Sequence, residues 1–443
     1  MAGKFFGGVH PDPSKGATEK KATRTPDAPK TVVIPMSMHV GAPCTPVVKK
    51  GDTVTLGQLI GDCDAAISAP IHSSVSGTVI AVEPRPHPNG NKVMSVVIEN
   101  DFLDTPGSEL AAHEDPFSLS SEEIISIVRK AGIVGLGGAG FPTHAKISSA
   151  IGKVDTIIIN GAECEPYITS GHRGMLERGE ELLDGVRVLM KALSLDSAVI
   201  GIENNKPDAI AHLNKILKPE HKGISVQGLR TRYPQGAEKQ LIHAITGRQV
   251  PPGGLPAAVG CAVFNADSAI AVYRAVRFGE PLTEKVVTVA GSVVSEPDNI
   301  RVRIGTPFSE LFSACGGFKE TPGKVINGGP MMGMAQFDLS VPVIKGTNAV
   351  LAFSEKECID ADTERSCIRC GRCVDVCPMH LMPFMMYAAE RKDKLDVLKK
   401  YNVTDCMECG SCAYICPGRV RLVHSFKTAK QKLRNQQAKE AAK

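Results

Sequence analysis

Tryptophan is absent from the 443 residues, and six tyrosines with fourteen phenylalanines are the whole aromatic complement. Nucleic-acid recognition by base stacking needs aromatic platforms, so that class is disfavoured. Excess charge is equally scarce, because 51 basic against 47 acidic side chains leave a formal +4. Binding nucleic acid through bulk electrostatics needs far more. No apolar run reaches the ~18 residues of a membrane span, and the opening MAGKFFGGVHPDPSKG lacks the apolar core and cleavage site of a secretion signal. A cytosolic chain is therefore expected. With 43 glycines and 30 prolines, the backbone should make many tight turns and few long helices. What is present is ordinary: 42% hydrophobic and 22% charged residues can bury the cores of roughly two to four domains.

Fourteen cysteines stand out, and eight of them lie between Cys367 and Cys416. A disulfide framework would spread them, so the clustering points to metal. Cys367-x2-Cys370-x2-Cys373-x3-Cys377-Pro378 is followed by Cys406-x2-Cys409-x2-Cys412-x3-Cys416-Pro417. Three closely spaced cysteines supply three corners of a [4Fe–4S] cube and a distant cysteine the fourth. Two such runs imply two clusters with exchanged fourth ligands: Cys367, Cys370, Cys373 and Cys416 for one, Cys377, Cys406, Cys409 and Cys412 for the other. Structural zinc, which uses two cysteine pairs, does not explain the repeated fourth Cys followed by Pro. The segment between the runs favours helix, an arrangement similar to the α-helical ferredoxins inside larger redox enzymes. Its methionines (Met379, Met382, Met385, Met386) are expected to pack around the clusters. Cys44, Cys63, Cys164, Cys261, Cys315 and Cys358 lack ligand spacing and read as small hydrophobes, and His10, His39 and His72 show no metal pattern.

Along the chain, residues 1–30 read as an extended arm. Residues 31–105 hold short β-branched runs broken by Gly, Pro and Asp, which predict a small all-β unit. VKKGDTVTLGQLIG and APIHSSVSGTVIAVE resemble the barrel-sandwich hybrid of biotinyl and lipoyl carriers. Ser73 and Ser74 stand where the modified lysine would be, so no covalent cofactor is expected there. Residues 120–283 alternate helix and strand signals, predicting an α/β sheet with a ligand crevice at its strand ends. Residues 284–348 predict a β-grasp unit, residues 349–426 the helical ferredoxin domain, and residues 427–443 a basic tail with six basic residues and one acidic. The fold class expected is multidomain α/β with small β units.

Gly135-Leu136-Gly137-Gly138-Ala139-Gly140-Phe141-Pro142-Thr143 lets backbone N–H groups approach a phosphate or a ring closely. It departs from a Rossmann fingerprint, since no strand ends before it and Pro142 follows. GLGGAGFPTHAK, NGAECEP at 160–166, YPQGAEKQL at 233–241 and FNADS at 264–268 resemble, in order, the flavin and NADH site of the NADH-binding subunit of respiratory complex I. With FFGGVHP, the β-hybrid and the two cluster motifs, the whole order resembles the RnfC component of the Rnf (Rsx) electron transport complex.

That resemblance implies a barrel-sandwich hybrid, an FMN/NADH-binding α/β domain, a β-grasp (SLBB-like) domain and a dicluster ferredoxin. It also implies roles for individual residues. Gly135, Gly137 and Lys146 would face a non-covalent FMN, Lys146 as the cation for its phosphate. Asn160 and Glu163 would lie along the flavin, Glu165 would help place the nicotinamide, and Gly138 and Phe141 match positions where NAD(H) lies on the flavin. Tyr233, Gly236 and Glu238 match a segment over flavin and dinucleotide, and Asn265 and Ser268 the flavin-phosphate segment. Leu136, Ala162 and Ala237 replace an Arg, an Asp and a Glu of the complex I pattern. No side chain need act as acid or nucleophile, because a flavin accepts a hydride and releases electrons singly.

The function implied is the cytosolic NAD(H) end of a membrane ferredoxin:NAD+ oxidoreductase coupled to Na+ or H+ movement, peripheral to the membrane through other Rnf subunits, one of them ferredoxin-like. The alternatives are a cobalamin-reductase-type flavin and iron–sulfur enzyme, or a non-catalytic electron relay.

Overall fold

The computed structural model describes residues 5–107, 109–358 and 364–441. Four folded units follow one another along it. The first is all β: a four-stranded sheet of Thr31–Pro35, Lys92–Asn100, Gly77–Pro86 and Thr53–Val54 faces a three-stranded sheet of Thr45–Pro46, Leu59–Asp62 and Ile71–His72. Val32, Ile34, Ile60, Ile71, Val96 and Ile98 fill the space between the sheets.

In the second unit, four parallel strands are ordered Ile224–Leu229, Ala198–Glu203, Thr156–Asn160 and Cys261–Asn265. The chain enters at Thr156–Asn160, builds outward twice, then returns to the other side of the first strand. The winding therefore reverses between Thr156–Asn160 and Cys261–Asn265, and in open parallel sheets ligands bind at the strand ends beside such a reversal. Asn160 and Asn265 are paired across it in register. Helix Ser121–Lys130 starts with a capping box between Ser120 and Glu123, and ends with Arg129 and Lys130 against its dipole. It packs with helices Gly179–Leu193 and Ala266–Phe278 over a continuous aliphatic core.

The third unit is a five-stranded mixed sheet in which Glu284–Ala290 and Ala349–Phe353 lie parallel at the centre, crossed by helix Phe308–Ala314. Such a central parallel pair beneath a helix is a β-grasp pattern, but it extends past the expected end at 348: strand Ala349–Phe353, expected to open the ferredoxin domain, pairs between Glu284–Ala290 and Lys324–Asn327 and completes this sheet. The fourth unit is helical, and its last helix, Leu422–Ala441, buries Phe426, Ala429 and Leu433 in the ferredoxin core. The basic tail thus continues a packed helix instead of starting a separate segment at 427, because its apolar residues recur every three or four positions.

The arm is also firmly placed. Val9 and Tyr233 exchange backbone hydrogen bonds, Gly8 N–H donates to the Val376 carbonyl, and Phe6 stacks on His380 at 4.4 Å. Further on, Thr18 bonds Thr169 at 2.7 Å, Lys21 reaches the Pro297 carbonyl at 2.6 Å and Arg24 pairs with Asp298 at 2.9 Å. Asn100 donates to the Pro29 carbonyl. The arm therefore stitches all four units together. Gly8 is required there, since φ is +79° and a Cβ would meet the Tyr233 carbonyl oxygen at 2.5 Å.

Candidate functional site

Cys377, Cys406, Cys409 and Cys412 line one cavity with Met386, Met407 and Phe426. Cys367, Cys370, Cys373 and Cys416 line a second with Phe384, Val420 and Leu422. Each foursome takes three sulfurs from one Cys-x2-Cys-x2-Cys loop and the fourth from the other motif. Gly371 and Gly410, both left-handed, turn the chain from each loop into the short helices Arg372–Asp375 and Ser411–Tyr414. Among the described residues no group of ligand side chains is tight enough to hold a single ion. The cysteines instead line two enclosures together with apolar side chains, and four thiolates drawn from two motifs suit a cube with ligands at separate corners better than tetrahedral zinc. Burial raises Cys373, Cys377 and Cys412 and pushes Cys406 up to about 11. Iron must displace those thiol protons on binding.

The glycine-rich motif forms a turn closed by Val134 pairing with Pro142 and by Gly135 N–H donating to the Phe141 carbonyl at 2.9 Å. Gly137 is obligatory by close approach, because a Cβ would lie 2.5 Å from Asn265 Nδ2. Gly138 is exposed and has open space above it. Asn265 caps helix Ala266–Phe278, its Oδ1 accepting from Asp267 and Ser268 N–H. Ser268 is buried and its hydroxyl is occupied within the protein, accepting from Leu136 N–H at 2.9 Å and donating to the Val134 carbonyl at 3.2 Å. Lys146, on helix Thr143–Ala150, donates to the Val263 carbonyl at 2.9 Å and lies 3.4 Å from Glu238 at the start of helix Glu238–Thr246. Asn160 donates to the Gly236 carbonyl at 2.8 Å and accepts from Ala162 N–H. These contacts bring the glycine turn, both asparagine strand ends, Lys146 and the Tyr233–Glu238 segment together at the winding reversal, the place of the ligand crevice in open parallel sheets. A half-buried cation, a capped helix N-terminus and a glycine rim suit FMN, whose phosphate needs positive potential and whose ring needs close backbone approach.

The two glutamates of NGAECEP turn inward. Glu163 accepts from Gly171 N–H at 2.8 Å and lies 3.8 Å from buried Lys15. Lys15 also donates to the Glu165 carbonyl at 2.9 Å and to the Ile168 carbonyl. Behind them Lys206 and Glu203, 2% and 1% exposed, approach to 3.6 Å. Burial lowers Lys15 and raises Glu203, each partly opposed by its partners. Glu165 takes Met331 and Met332 N–H at 3.0 and 2.9 Å, while burial holds it at about 7 despite those donors. Its carboxylate thus docks the loop after strand Lys324–Asn327 of the β-grasp unit.

Sequence reasoning missed Lys15, Glu203, Lys206 and the Met331–Met332 loop. Glu203 ending the apolar strand SAVIGIE was the available signal. Lys285 and Lys345 were also missed; burial lowers both to about 8, and they donate to the carbonyls of Leu136 and of Pro70 and Gly132. A further cleft, about 420 Å³, lies behind the glycine turn and shares only Leu136 with that motif.

Tyr233, 2% exposed, donates from its hydroxyl to the Cys409 carbonyl at 2.6 Å. Val9, Tyr233 and Cys409 form an apolar cluster with Cys164, Met331, Val376 and Met407. The crevice and the cavity of Cys377, Cys406, Cys409 and Cys412 are therefore immediate neighbours.

A crevice of this kind joined to a dicluster unit defines a flavin and iron–sulfur electron-transfer protein. Residues 128–274 match the Nuo51 FMN-binding domain, 366–420 the 4Fe-4S dicluster domain, 3–103 the RnfC barrel sandwich hybrid domain and 286–335 the SLBB domain. The chain is 46% identical over 438 residues to the C-subunit of the Na(+)-translocating ferredoxin:NAD(+) oxidoreductase complex of Acetobacterium woodii, covering 99% of this chain and 98% of that one. It is 47% identical over 407 residues to the proton-translocating counterpart of Clostridium ljungdahlii, covering 91% and 88%. The chain belongs to the RnfC family, the C-subunits of ion-translocating ferredoxin:NAD(+) oxidoreductase complexes. An NAD+-reducing [NiFe]-hydrogenase in its H2-reduced state shares the fold, with a TM-score of 0.51 at 18% identity over 69% of this chain and 63% of that one. Among the described residues no helix is long and apolar enough to cross a membrane.

Proposed function

We propose that this chain is the NAD(H)-facing subunit of a membrane ferredoxin:NAD+ oxidoreductase, exchanging electrons one at a time through two [4Fe–4S] clusters while the complex moves Na+ or H+. Peripheral attachment at the cytoplasmic side, through other subunits that include a ferredoxin-like iron–sulfur protein, belongs to the same reading. The observation that carries it is the Tyr233–Cys409 bridge between the crevice and one cluster cavity. A flavin bound in the crevice supplies the change from hydride to single-electron chemistry.

The residues then divide the work. Gly135, Gly137, Asn160, Asn265 and Ser268 shape the flavin site, and Lys146 offers the phosphate a cation. Gly138, Phe141, Gly236 and Glu238 border the dinucleotide, Glu163 braces the wall along the flavin from behind through Gly171 and Lys15, and Glu165 keeps the neighbouring loop in place. Tyr233 holds the inner cluster loop, and its burial pushes the phenol upward so that it stays a donor. Cys377, Cys406, Cys409 and Cys412 would hold the cluster beside the crevice and Cys367, Cys370, Cys373 and Cys416 the one farther out, each supplying a one-electron carrier when loaded.

The test is an anaerobic NADH titration of purified protein with reconstituted clusters and added FMN, following flavin absorbance and cluster EPR together. Flavin bleaching with a reduced-cluster signal is the expected result. Bound flavin that ignores NADH, while dithionite reduces the clusters, overturns the reading in favour of a relay or another reductase.

A further inference from the structure

The two cluster cavities differ in what surrounds them. The inner one is walled by Leu381, Met386, Met407 and Phe426. The outer one reaches the surface: Cys367 and Cys370 are exposed, Ile368 on its wall is 72% exposed and Tyr414 nearby is 52% exposed. Five arginines, all at least partly exposed, surround this mouth: Arg365, Arg369, Arg372, Arg419 and Arg421. Arg369 and Arg372 line the cavity. Position 365 is held beside it by donating its N–H to the Gly418 carbonyl at 2.8 Å, and position 419 by donating to the Cys416 carbonyl at 3.1 Å. Only Arg421 has an ion-pair partner among the described residues, Glu364 at 3.7 Å. Asp375 is the other exposed acid close by, and Asp360 and Asp362 lie outside the described residues.

We propose that this mouth is the docking surface for an electron-carrying iron–sulfur protein with an acidic face. The inference rests on the electron-transfer reading above. Exposed apolar residues ringed by arginine reproduce the anatomy of a protein interface, with Ile368 and Tyr414 as contact area and the cations as rim. No lysine stands among these cations, and the guanidinium fork matches carboxylates in pairs, which favours an acidic protein over a lipid headgroup. A rim of one sign steers an oppositely charged partner and orients it over the cluster. Electrons balance: one NADH becomes NAD+ with release of one proton, and its two electrons reduce two equivalents of a one-electron carrier. The reverse reaction consumes the same amounts.

The experiment uses the full chain loaded with FMN and both clusters, and a purified acidic two-[4Fe–4S] ferredoxin as probe. Affinity and the rate of NADH-driven ferredoxin reduction are measured against ionic strength for the native chain, R365E/R419E and the milder R365Q/R419Q. Neither position is a cluster ligand or part of the cavity wall. Native affinity should fall as salt rises, and the Glu pair should weaken it by about tenfold or more, the Gln pair by less. Iron content, cluster EPR and flavin bleaching by NADH should stay unchanged. Equal affinity of all three proteins at low salt overturns the proposal. So does loss of binding to phosphatidylglycerol vesicles in the variants with ferredoxin binding retained, which would make the mouth a lipid contact. Ferredoxin binding that depends on the arginines, in a chain whose flavin ignores NADH, supports the docking surface and instead sinks the electron-transfer reading.

Discussion

The Tyr233 hydroxyl donates to the carbonyl of Cys409, 176 residues away, at 2.6 Å. One hydrogen bond thus ties the segment bordering the crevice to the loop that contributes three of the inner cysteines. The bond is buried, so nothing from solvent replaces it when it is removed. Y233F should cost about 1–2 kcal/mol in stability and slow the appearance of the reduced-cluster signal after NADH addition, with iron content unchanged. Thermal unfolding and anaerobic stopped-flow measurements check the two parts.

The exchange of fourth ligands makes a pairing prediction. C416S should damage the same cluster as C367S, and C377S the same cluster as C406S, although neighbours in sequence would suggest the opposite grouping. Each variant should retain about half of the iron. EPR of C416S showing the signal left in C377S would contradict the pairing.

Glu165 gives the stability a pH dependence. Burial raises its carboxyl from 4.5 to about 7, so the folded chain holds a proton that the unfolded chain releases. The stability tied to that proton is complete below about 4.5 and lost as pH rises through about 7, on the order of 3 kcal/mol in all. E165Q cannot ionise and should flatten this part of the curve. Denaturant titrations across the window, native against E165Q, should converge at low pH and separate toward neutrality.

Lys15 sits on carbonyl oxygens and beside Glu163 in a buried setting. K15M removes the cation and leaves that carboxylate short of a partner, a change that costs about 3–5 kcal/mol in buried pairs. Adding E163Q should recover part of the loss. An additive double variant would show that the two side chains do not interact.

The parts legible in the sequence were those governed by local spacing. Eight cysteines at fixed intervals announced two clusters, and the alternation of IIIN-type strands with amphipathic helices announced the α/β unit. The reversal of winding was hidden, because strand order depends on which helix crosses which face. Glu165 was legible as part of a motif, but its bond to Met331 and Met332 depends on how the β-grasp unit docks. The arm was legible as an extended segment but not its anchoring: a Lys-, Pro- and Thr-rich stretch has no core of its own, and its order comes from surfaces made elsewhere. Nothing local marks Lys15 in the sequence, because the carbonyls that hold it come from Glu165 and Ile168.

The arm also sets an order of events. Residues 5–24 leave the ribosome long before the groups they grip, since Thr18 waits for Asn299, 281 positions later, and Gly8 waits for Val376. Contacts so distant in sequence form late, and domains made earlier can fold as units meanwhile. The tip of the strap therefore fastens last: a chain cut short before the cluster loops keeps the grips on Thr169, Tyr233 and Asn299 but leaves Gly8 and Phe6 without Val376 and His380, so the first few residues are the part held only in the finished chain.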